Sequence, residues 1–397
     1  LAASVLGVLY VFPPEYDLFK PDEYVIYGSG AVLSGKIGIE SDPLDTDPYD
    51  GTAGIILTSG PYSGTGYGWV ITPVDFYVPP GLGNPHGLPP GSISEHGADL
   101  KSLTCVLKPG LYSVKLTVNG TSHTGKFALE GEVVREYGWK FNQVLEETMP
   151  DGTNSYVTHD FETEFRFLYG DTLSSVQYDG ARGHFPFKNL DEVMTFFTSD
   201  SSKVTKELQT VLRGEFDEKN IPHSFIGTDQ FHYASYLLAF VQQTVSYVED
   251  GHLYGISEYW AFPAETIMRG QGDCEDTSFL CAALFKAAGF ETAVGIFPGH
   301  AMAGVYLSED TAEHRKYSLL PDGSDDYPIH QDIGNKRYYG CETAFYEYVQ
   351  FPIGYTNIIF DGYIDEEHVV GELVTWLPGG ENRKENRPFG FYVISDY

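Results

Sequence analysis

The sequence predicts a multidomain protein, with an N-terminal β-sandwich-like domain followed by a C-terminal domain of mixed helices and strands. Three observations predict this fold class. The chain has 397 residues, 42% hydrophobic and 15% aromatic, which is enough to bury more than one core. Short apolar runs separated by Gly, Pro, Asn and Asp precede residue 135, and helical spacing of apolar residues begins near residue 185. The predicted units are an apolar N-terminal segment (1–20), the β-sandwich-like domain (21–135), a mixed β connecting region (136–185) and the C-terminal domain (186–397).

The N-terminal segment contains the longest apolar run of the chain, Leu1–Phe12, which Pro13 and Pro14 follow. This run is shorter than the roughly 18–20 apolar residues that cross a bilayer, so no transmembrane helix is predicted. It could be the remainder of a signal or anchor segment, or a strand paired within its own domain. A third interpretation is a strand donated to a neighbouring molecule, which would build a homo-oligomer or filament.

Acidic residues outnumber basic residues 56 to 24, which gives a formal net charge of -32. Nucleic acids and anionic membrane surfaces bind positive charge, so both are disfavoured as partners. The acidity favours solubility and an affinity for cations. One acidic cluster lacks EF-hand spacing and is interpreted as a solvated loop, with calcium binding as the alternative. Its members are Asp42, Asp45, Asp47 and Asp50.

Two features of the sequence favour an extracellular or cell-surface location. The chain begins with Leu rather than Met, which indicates a processing edge. Asn119-Gly120-Thr121 fits the acceptor pattern for N-glycosylation, so Asn119 is the expected glycan site of a secreted protein.

The β-sandwich-like domain is predicted from alternation and turn chemistry. The run Leu111–Val118 places Val114, Leu116 and Val118 on one face, and Asn119-Gly120 then forms a turn. The next run, Lys126–Leu129, would complete a hairpin. Between Gly60 and Gly91, Gly and Pro fill almost half of the positions, which predicts a long surface loop.

Helical patterns follow the mixed region. Ser201 or Ser202 can cap a helix, and a stronger helix is predicted from Phe231 to Glu249. The apolar residues of this second helix recur at offsets that share one face. They are Tyr233, Tyr236, Leu237, Phe240, Val241, Val245 and Val248.

The segment around Cys274 carries the chemistry. Asp273 can cap a helix, with Asp276 in a capping-box-like position, and the helix should end at Gly289. Cys274 then lies in the first turn, where unpaired N–H groups and the helix dipole favour a thiolate. Asp273 and Glu275 oppose this effect by repulsion. A buried structural cysteine is the alternative interpretation.

A thiolate nucleophile needs a base and an orienting acid. His300 begins a predicted strand after a tight turn, and Glu342 ends another predicted strand. Neighbouring antiparallel strands could place the two side chains together, with Cys274 above them.

Three motifs resemble those of the transglutaminase-like superfamily, in particular its microbial cysteine-peptidase-like branch. They are Gly272-Asp273-Cys274-Glu275-Asp276, Gly299-His300-Ala301 and Tyr338-Tyr339-Gly340-Cys341-Glu342-Thr343, and the resemblance covers roughly residues 190–360. It implies a papain-like α+β fold. It also implies Cys274 as nucleophile, His300 as general base and then acid, and Glu342 as orienting acid. The third position is more usually Asp in this superfamily, so Asp322 or Asp332 could serve instead of Glu342.

The resemblance also bears on calcium. Some microbial members are calcium-dependent through carboxylates that flank the cysteine, and Asp273 and Glu275 occupy those places. The alternative is that Asp273 caps the helix and Glu275 is solvated; no other cofactor is expected.

Cys281 lies on nearly the same helix face as Cys274 and is interpreted as a core residue, with a disulfide to Cys341 as the alternative.

These expectations combine into an extracytoplasmic thiol acyl-transfer enzyme that acts on a protein or peptide substrate. Water as the second reactant makes a cysteine peptidase or amidase, and an amine makes a cross-linking transferase. The branch that the motifs resemble favours hydrolysis. The alternative is a surface or filament-forming structural protein that uses this fold as a scaffold and donates Leu1–Phe12 to a neighbour.

Overall fold

A computed structural model describes a little over half of the chain. The described residues are 37–41, 53–73, 92–129, 132–148, 154–169, 171, 190–198, 203–221, 228–253, 260–297, 300–307, 330–344, 350, 353–354, 374–376, 382–384 and 390–394. Leu1–Phe12, the acidic cluster Asp42 to Asp50, and Asp322 lie outside them.

Two antiparallel sheets occupy the N-terminal part of the chain. The first has the order β1-β2-β5, from β1 (Gly38–Ser41), β2 (Ala53–Thr58) and β5 (Ser102–Leu107). The second has the order β4-β3-β6-β7, from β3 (Tyr67–Pro73), β4 (Ile93–Gly97), β6 (Gly110–Val118) and β7 (Thr121–Leu129).

Both N-terminal sheets contribute to one apolar cluster, in which Ile55 and Leu57 of β2 join Trp69 of β3 and Leu116 of β6. Burial alternates along β5, as expected for strands with one face on a core. Two sheets over one core is the arrangement that a β-sandwich requires, and the assignment to that fold class stays a prediction.

The turn between β6 and β7 is at the position predicted from the sequence, Asn119-Gly120. Asn119 and Gly120 both have positive φ, 49° and 80°, as the tight turn of a two-residue hairpin requires. β7 begins at Thr121 rather than at Lys126, so the second strand is longer than predicted. The exposed Asn119 accepts a hydrogen bond on Oδ1 from the Thr65 N–H at 3.1 Å.

The predicted surface loop from Gly60 to Gly91 is wrong over β3 (Tyr67–Pro73), whereas 60–66 contain a turn but no strand or helix and 74–91 lie outside the described residues. Tyr67, Trp69 and Ile71 alternate along β3 and are buried, so the aromatic pattern outweighs the high Gly and Pro content. Gly68 on the opposite face leaves room for the His96 ring, since a Cβ there would lie 2.6 Å from Nδ1.

A long two-stranded hairpin fills most of the region predicted as mixed β. It consists of β8 (Glu132–Thr148) and β9 (Asn154–Leu168), paired in register from Glu132 opposite Leu168. Alternate aromatic residues of both strands are buried in the same apolar cluster as the C-terminal helices. These residues are Tyr137, Trp139, Phe141, Phe161, Phe165 and Phe167.

Six helices are described after the hairpin. They are α1 (Leu190–Thr198), α2 (Lys203–Glu218), α3 (Thr228–Thr244), α4 (Asp250–Leu253), α5 (Pro263–Arg269) and α6 (Cys274–Ala287). The described residues contain no helix long and apolar enough to cross a membrane.

Helix α3 differs from its prediction in two respects. It ends at Thr244 rather than Glu249, because the chain then forms the short strand β10 (Ser246–Tyr247), parallel to β11 (Gln271–Gly272). Residues 231–242 are buried on every face and not on one. The reason is that β8 packs on one side of α3 and α6 on another.

A five-stranded antiparallel sheet supports α6. Its order is β14-β15-β13-β12-β18, from β12 (Thr292–Phe297), β13 (His300–Tyr306), β14 (His330–Ile333), β15 (Lys336–Cys341) and β18 (Gly390–Val393). A separate pair, β16 (Val374–Trp376) and β17 (Asn382–Lys384), completes the described strands. Helix α6 packs on β13 and β12, which brings its first turn towards the start of β13. The papain-like assignment of this α+β arrangement stays a prediction.

Candidate active site

The first turn of α6 presents Cys274 to the sheet. Asp273 occupies the N-cap position, but its carboxylate makes no capping hydrogen bond, so the predicted capping box is wrong. Asp276 instead accepts a hydrogen bond on Oδ1 from the Ala261 N–H at 2.7 Å. The Thr277 hydroxyl donates to the Asp273 carbonyl at 2.7 Å. Neither carboxylate therefore makes the capping hydrogen bond that the sequence predicted.

The sulfur of Cys274 lies between a carboxylate and a backbone amide. Its S–H donates to Glu275 Oε2 at 2.9 Å, and the Ala301 N–H donates to the sulfur. Burial raises the pKa of this thiol well above its ordinary value, and the charges of Glu275 and Asp273 raise it further. The Ala301 amide lowers the pKa by a smaller amount, so this arrangement holds a protonated thiol.

His300 and Glu342 form the buried pair that the sequence predicted. β13 and β15 are antiparallel neighbours with Ala303 opposite Cys341, so the start of one strand meets the end of the other. His300 Nε2 and Glu342 Oε2 are 2.8 Å apart, and both residues are buried. Since Nε2 is engaged by the carboxylate, Nδ1 is the ring nitrogen that can exchange a proton with a reacting group. His300 directly precedes the residue whose amide meets the Cys274 sulfur.

Two further contacts of Glu342 and one of Thr343, which the sequence did not indicate, hold this segment in place. Glu342 Oε1 accepts a hydrogen bond from the Ala344 N–H at 3.0 Å. Its backbone carbonyl accepts one from Gln242 Nε2 at 2.8 Å. The next residue, Thr343, shares a hydrogen bond with the Thr277 hydroxyl of α6 at 2.9 Å. These links connect the acid, the upstream helix α3 and the nucleophile helix.

Asp332, one alternative for the orienting acid, lies elsewhere. It is an exposed residue of β14 that accepts two hydrogen bonds from the Arg337 guanidinium, both at 2.7 Å. Arg337 holds the pKa of this carboxyl below its usual range. The alternative is wrong because the strand register directs Asp332 to Arg337 and gives the position beside His300 to Glu342.

A cluster of buried carboxylates lies behind the nucleophile. Oxygen atoms of Asp250, Asp273 and Asp276 lie within 4.8 Å of one another, and all three residues are buried. A second group of ligand atoms at this spacing combines Asp273 with Cys274 and Glu275. Asp250 could not be predicted from local patterns, because it belongs to α4, more than 20 residues before the motif.

The electrostatics of this cluster are unfavourable without a counter-charge. Oδ1 of Asp273 and Oδ2 of Asp276 are buried and make no hydrogen bond. Burial raises the pKa of Asp276 to about 7 and that of Asp273 well above its usual range, with further contributions from neighbouring carboxylates. Arg269 opposes the shift of Asp276, but its guanidinium also lies 3.6 Å from Glu265. An oxygen-only set of this kind fits a hard cation such as Ca²⁺.

The remaining cysteines are core residues. Cys105, Cys281 and Cys341 are free and buried, so the alternative of a Cys281–Cys341 disulfide is wrong. Burial raises the pKa of Cys281 well above its ordinary value, with a smaller contribution from Cys341, as expected for unreactive thiols in apolar surroundings.

Comparisons of the chain with known protein families and with curated proteins found no match. The resemblance to the transglutaminase-like superfamily therefore stays a prediction, and the functional argument depends on the geometry of the residues named above.

Proposed function

We propose that the chain is a thiol acyl-transfer enzyme of the peptidase or amidase class that acts on a protein or peptide substrate. Cys274 is the nucleophile, His300 the general base and then acid, and Glu342 the residue that orients the imidazole. The main support is the 2.8 Å contact between His300 Nε2 and Glu342 Oε2, in a buried position next to the amide that meets the sulfur.

The proposed reaction has two stages. The Cys274 sulfur attacks a carbonyl carbon as its proton passes to His300 Nδ1, and the carbon–nitrogen bond then breaks as the leaving amine takes that proton. A water molecule then attacks the thioester and gives a proton to His300. The carbon–sulfur bond breaks, the carboxylic acid leaves, and His300 returns the proton to the Cys274 sulfur. Glu342 stabilises the imidazolium in both stages through its carboxylate. An amine in place of this water would give a cross-linked product.

We also propose that calcium binds at Asp250, Asp273 and Asp276. The support is the pair of buried carboxylate oxygens without hydrogen bonds, together with the raised pKa of Asp276. A bound cation supplies positive charge that offsets the carboxylates beside the sulfur, which lowers the pKa of the thiol. Glu275 remains the neighbour that accepts the S–H hydrogen bond.

The decisive experiment is labelling with an iodoacetamide probe, followed by peptide mapping, across pH and with either calcium or a chelator. We expect Cys274 to be labelled near neutral pH with calcium, and His300→Ala to slow this labelling about 10²-fold or more. Cys274→Ala should remove the label, and Cys281→Ala is the matched control that should not. Labelling of Cys274 only above the pH of an ordinary thiol, with calcium present, would exclude an activated nucleophile.

The second candidate is a structural protein that keeps the site without using it. The observation that favours it is the protonated, buried thiol bonded to Glu275. This candidate needs assembly through Leu1–Phe12, which lies outside the described residues. Deleting that segment should then convert an assembled species to a monomer in sedimentation velocity, and an unchanged profile would remove the idea.

A further inference from the structure

We propose that Gln242 is a positioning residue for the His300–Glu342 pair, and that the β8–β9 hairpin holds it in place through the adjacent Gln243. The proposal rests on the proposed function for its catalytic consequence. The structural part of the proposal is that the carboxamide of Gln242 sets the orientation of the His300–Glu342 pair. This part can be tested without measuring enzymatic activity.

Gln242 is placed for this role by burial and by hydrogen bonding. It is 2% exposed, and its Nε2 donates to the backbone carbonyl of Glu342 at 2.8 Å. Glu342 directly follows Cys341, the last residue of β15. A buried carbonyl at the end of a strand needs a donor, and Gln242 supplies it across a gap of 100 residues in sequence.

The neighbouring Gln243 connects the same turn of α3 to the hairpin. Its Oε1 accepts from the Lys140 N–H at 3.0 Å, and its Nε2 donates to the Lys140 carbonyl at 2.7 Å. The side-chain amide of Gln243 thus pairs with both the N–H and the carbonyl of Lys140, on the edge of β8 that faces away from β9. A carboxamide can do this because it carries the same donor and acceptor as a peptide group.

Gln350 repeats the arrangement two residues along β8. It accepts from the Asn142 N–H at 2.6 Å and donates to the Asn142 carbonyl at 3.3 Å. The outward-facing groups of a strand recur every second residue, so Lys140 and Asn142 present consecutive sites on one edge. Glu342 is therefore linked to β8 through the two glutamines of α3, and the chain eight residues after it is linked to β8 through Gln350.

Aromatic packing makes the hairpin a rigid support for these bonds. Trp139 stacks on Phe161 and meets Phe240 of α3 edge to face, with ring centroids 5.1 Å apart in both pairs. Tyr137 also contacts Phe240, at 5.0 Å. Trp139 is next to Lys140 in sequence, and Phe240 lies one helical turn before Gln243, so the ring contact and the hydrogen bonds join the same parts of β8 and α3. A shift of the hairpin would therefore move Gln242 and with it the Glu342 backbone.

The experiment compares wild type with Gln242→Met, which keeps the length of the side chain and removes its donor. Two readouts are taken with calcium present: the pH dependence of Cys274 alkylation, and the ¹⁵N titration of His300, assigned by its loss in His300→Asn. We expect about ten-fold slower alkylation at neutral pH and a shift of His300 titration of at least half a pH unit. Gln209→Met is the matched control, since Gln209 donates to the Tyr233 hydroxyl at 3.0 Å in the same core.

The outcomes separate the two proposals. A wild-type alkylation rate and an unmoved His300 titration in Gln242→Met would overturn the positioning role, and so would an equal shift in Gln209→Met. If wild-type Cys274 is unreactive, the proposed function fails, and the His300 titration still decides the role of Gln242. If Gln242→Met does not fold, Gln243→Met replaces it, because this half-buried residue keeps the Gln242 donor and loses the anchor on Lys140. A shift of the His300 titration in Gln243→Met that Gln209→Met does not show supports the proposal, and no shift overturns it.

Discussion

The sulfur of Cys274 is subject to two effects of opposite sign. The amino end of α6 favours a thiolate by an amount that reaches about 2 kcal/mol in partly buried sites. Burial together with nearby carboxylates acts in the other direction and shifts pKa values by up to about 3–5 units, at about 1.4 kcal/mol per unit. The second effect is larger, which agrees with the strongly raised pKa of Cys274. A helix N-terminus alone therefore does not make this cysteine reactive.

The first prediction at the scale of single residues concerns Glu275→Gln in the presence of a chelator. Removing the charge of Glu275 lowers the pKa of Cys274, so we expect alkylation at pH 8 to become about three- to ten-fold faster. The rate is measured by mass spectrometry of the Cys274 peptide. Asp332→Asn, which removes an exposed charge on β14, is the control and should leave the rate unchanged. No acceleration in Glu275→Gln would mean that the charge of Glu275 does not contribute to the raised pKa of Cys274.

The second prediction concerns Asp276 and the stability of the metal-free protein. Its folded-state pKa is about 7, above its value of about 3.8 in an unfolded chain. Between these pH values the folded protein holds a proton that the unfolded chain has released, so the free energy of unfolding falls as pH rises. The loss reaches at most about 4 kcal/mol, at about 1.4 kcal/mol per pKa unit.

Thermal melts in a chelator test this prediction. We expect the Tm to fall between pH 5 and pH 7.5 in wild type, to fall less in Asp276→Asn, and to recover when calcium is added to wild type. Glu218→Gln, at the exposed end of α2, is the matched control and should follow wild type. A Tm that rises over this pH range would contradict the proposed burial of uncompensated carboxylates.

At the scale of elements, the hairpin β8–β9 explains why α3 is buried on all faces. Aromatic residues of both strands lie against Tyr236 and Phe240, so α3 contacts β8 and α6 at once. The apolar periodicity of α3 could predict a helix and the face that meets one partner. It could not predict the second partner, because that partner is a strand pair about 100 residues earlier whose own pattern is broken by polar residues.

The element prediction concerns Trp139→Ala. Trp139 is 3% exposed and packs against Phe161 and Phe240, so its truncation should reduce the free energy of unfolding by about 3–5 kcal/mol. Guanidinium denaturation followed by circular dichroism measures the change. Tyr156→Ser is the matched control, because Tyr156 is an exposed aromatic residue of β9 and its loss should have little effect. Equal destabilisation by both substitutions would show that the hairpin contributes only its backbone pairing.

Sequence reasoning was most successful where the signal is local. The hairpin turn at Asn119, the helix that begins at Cys274, the strand that begins at His300 and the strand that ends just before Glu342 all follow from neighbouring residues. It failed for Asp250 and Gln242, whose roles arise only when distant segments meet. It also failed for the capping role of Asp273, because the local preference of Asp for a helix N-terminus loses to the buried cluster. Contacts between two residues that are 20 to 100 positions apart produce no periodic pattern in the sequence, so they could not be predicted from it.

At the scale of the whole molecule, the described residues form three apolar clusters that share no member. The first takes its residues from 37–129, and the second begins at Tyr137 and continues to Ile394. The third is a small cluster on the C-terminal sheet, made of Ala293, Phe297, Met302, Tyr338 and Phe391. The hairpin therefore packs with the C-terminal helices and strands, although its position in the sequence follows directly after β7. A division at residue 185, where the composition changes, would separate six buried aromatic residues from the core that they cover.

The last prediction follows from this packing and compares two truncated chains. A chain that starts at Glu132 keeps the hairpin, whereas one that starts at residue 186 removes it. Six buried aromatic side chains, at about 1.5–3 kcal/mol each, together contribute as much as the about 5–15 kcal/mol by which a folded domain is usually stable. We therefore expect 132–397 to unfold cooperatively on heating, with native near-ultraviolet circular dichroism, and 186–397 to lack both properties. Trp139→Ala in 132–397 serves as an intermediate control, and cooperative unfolding of 186–397 would show that the hairpin is dispensable for the fold around Cys274.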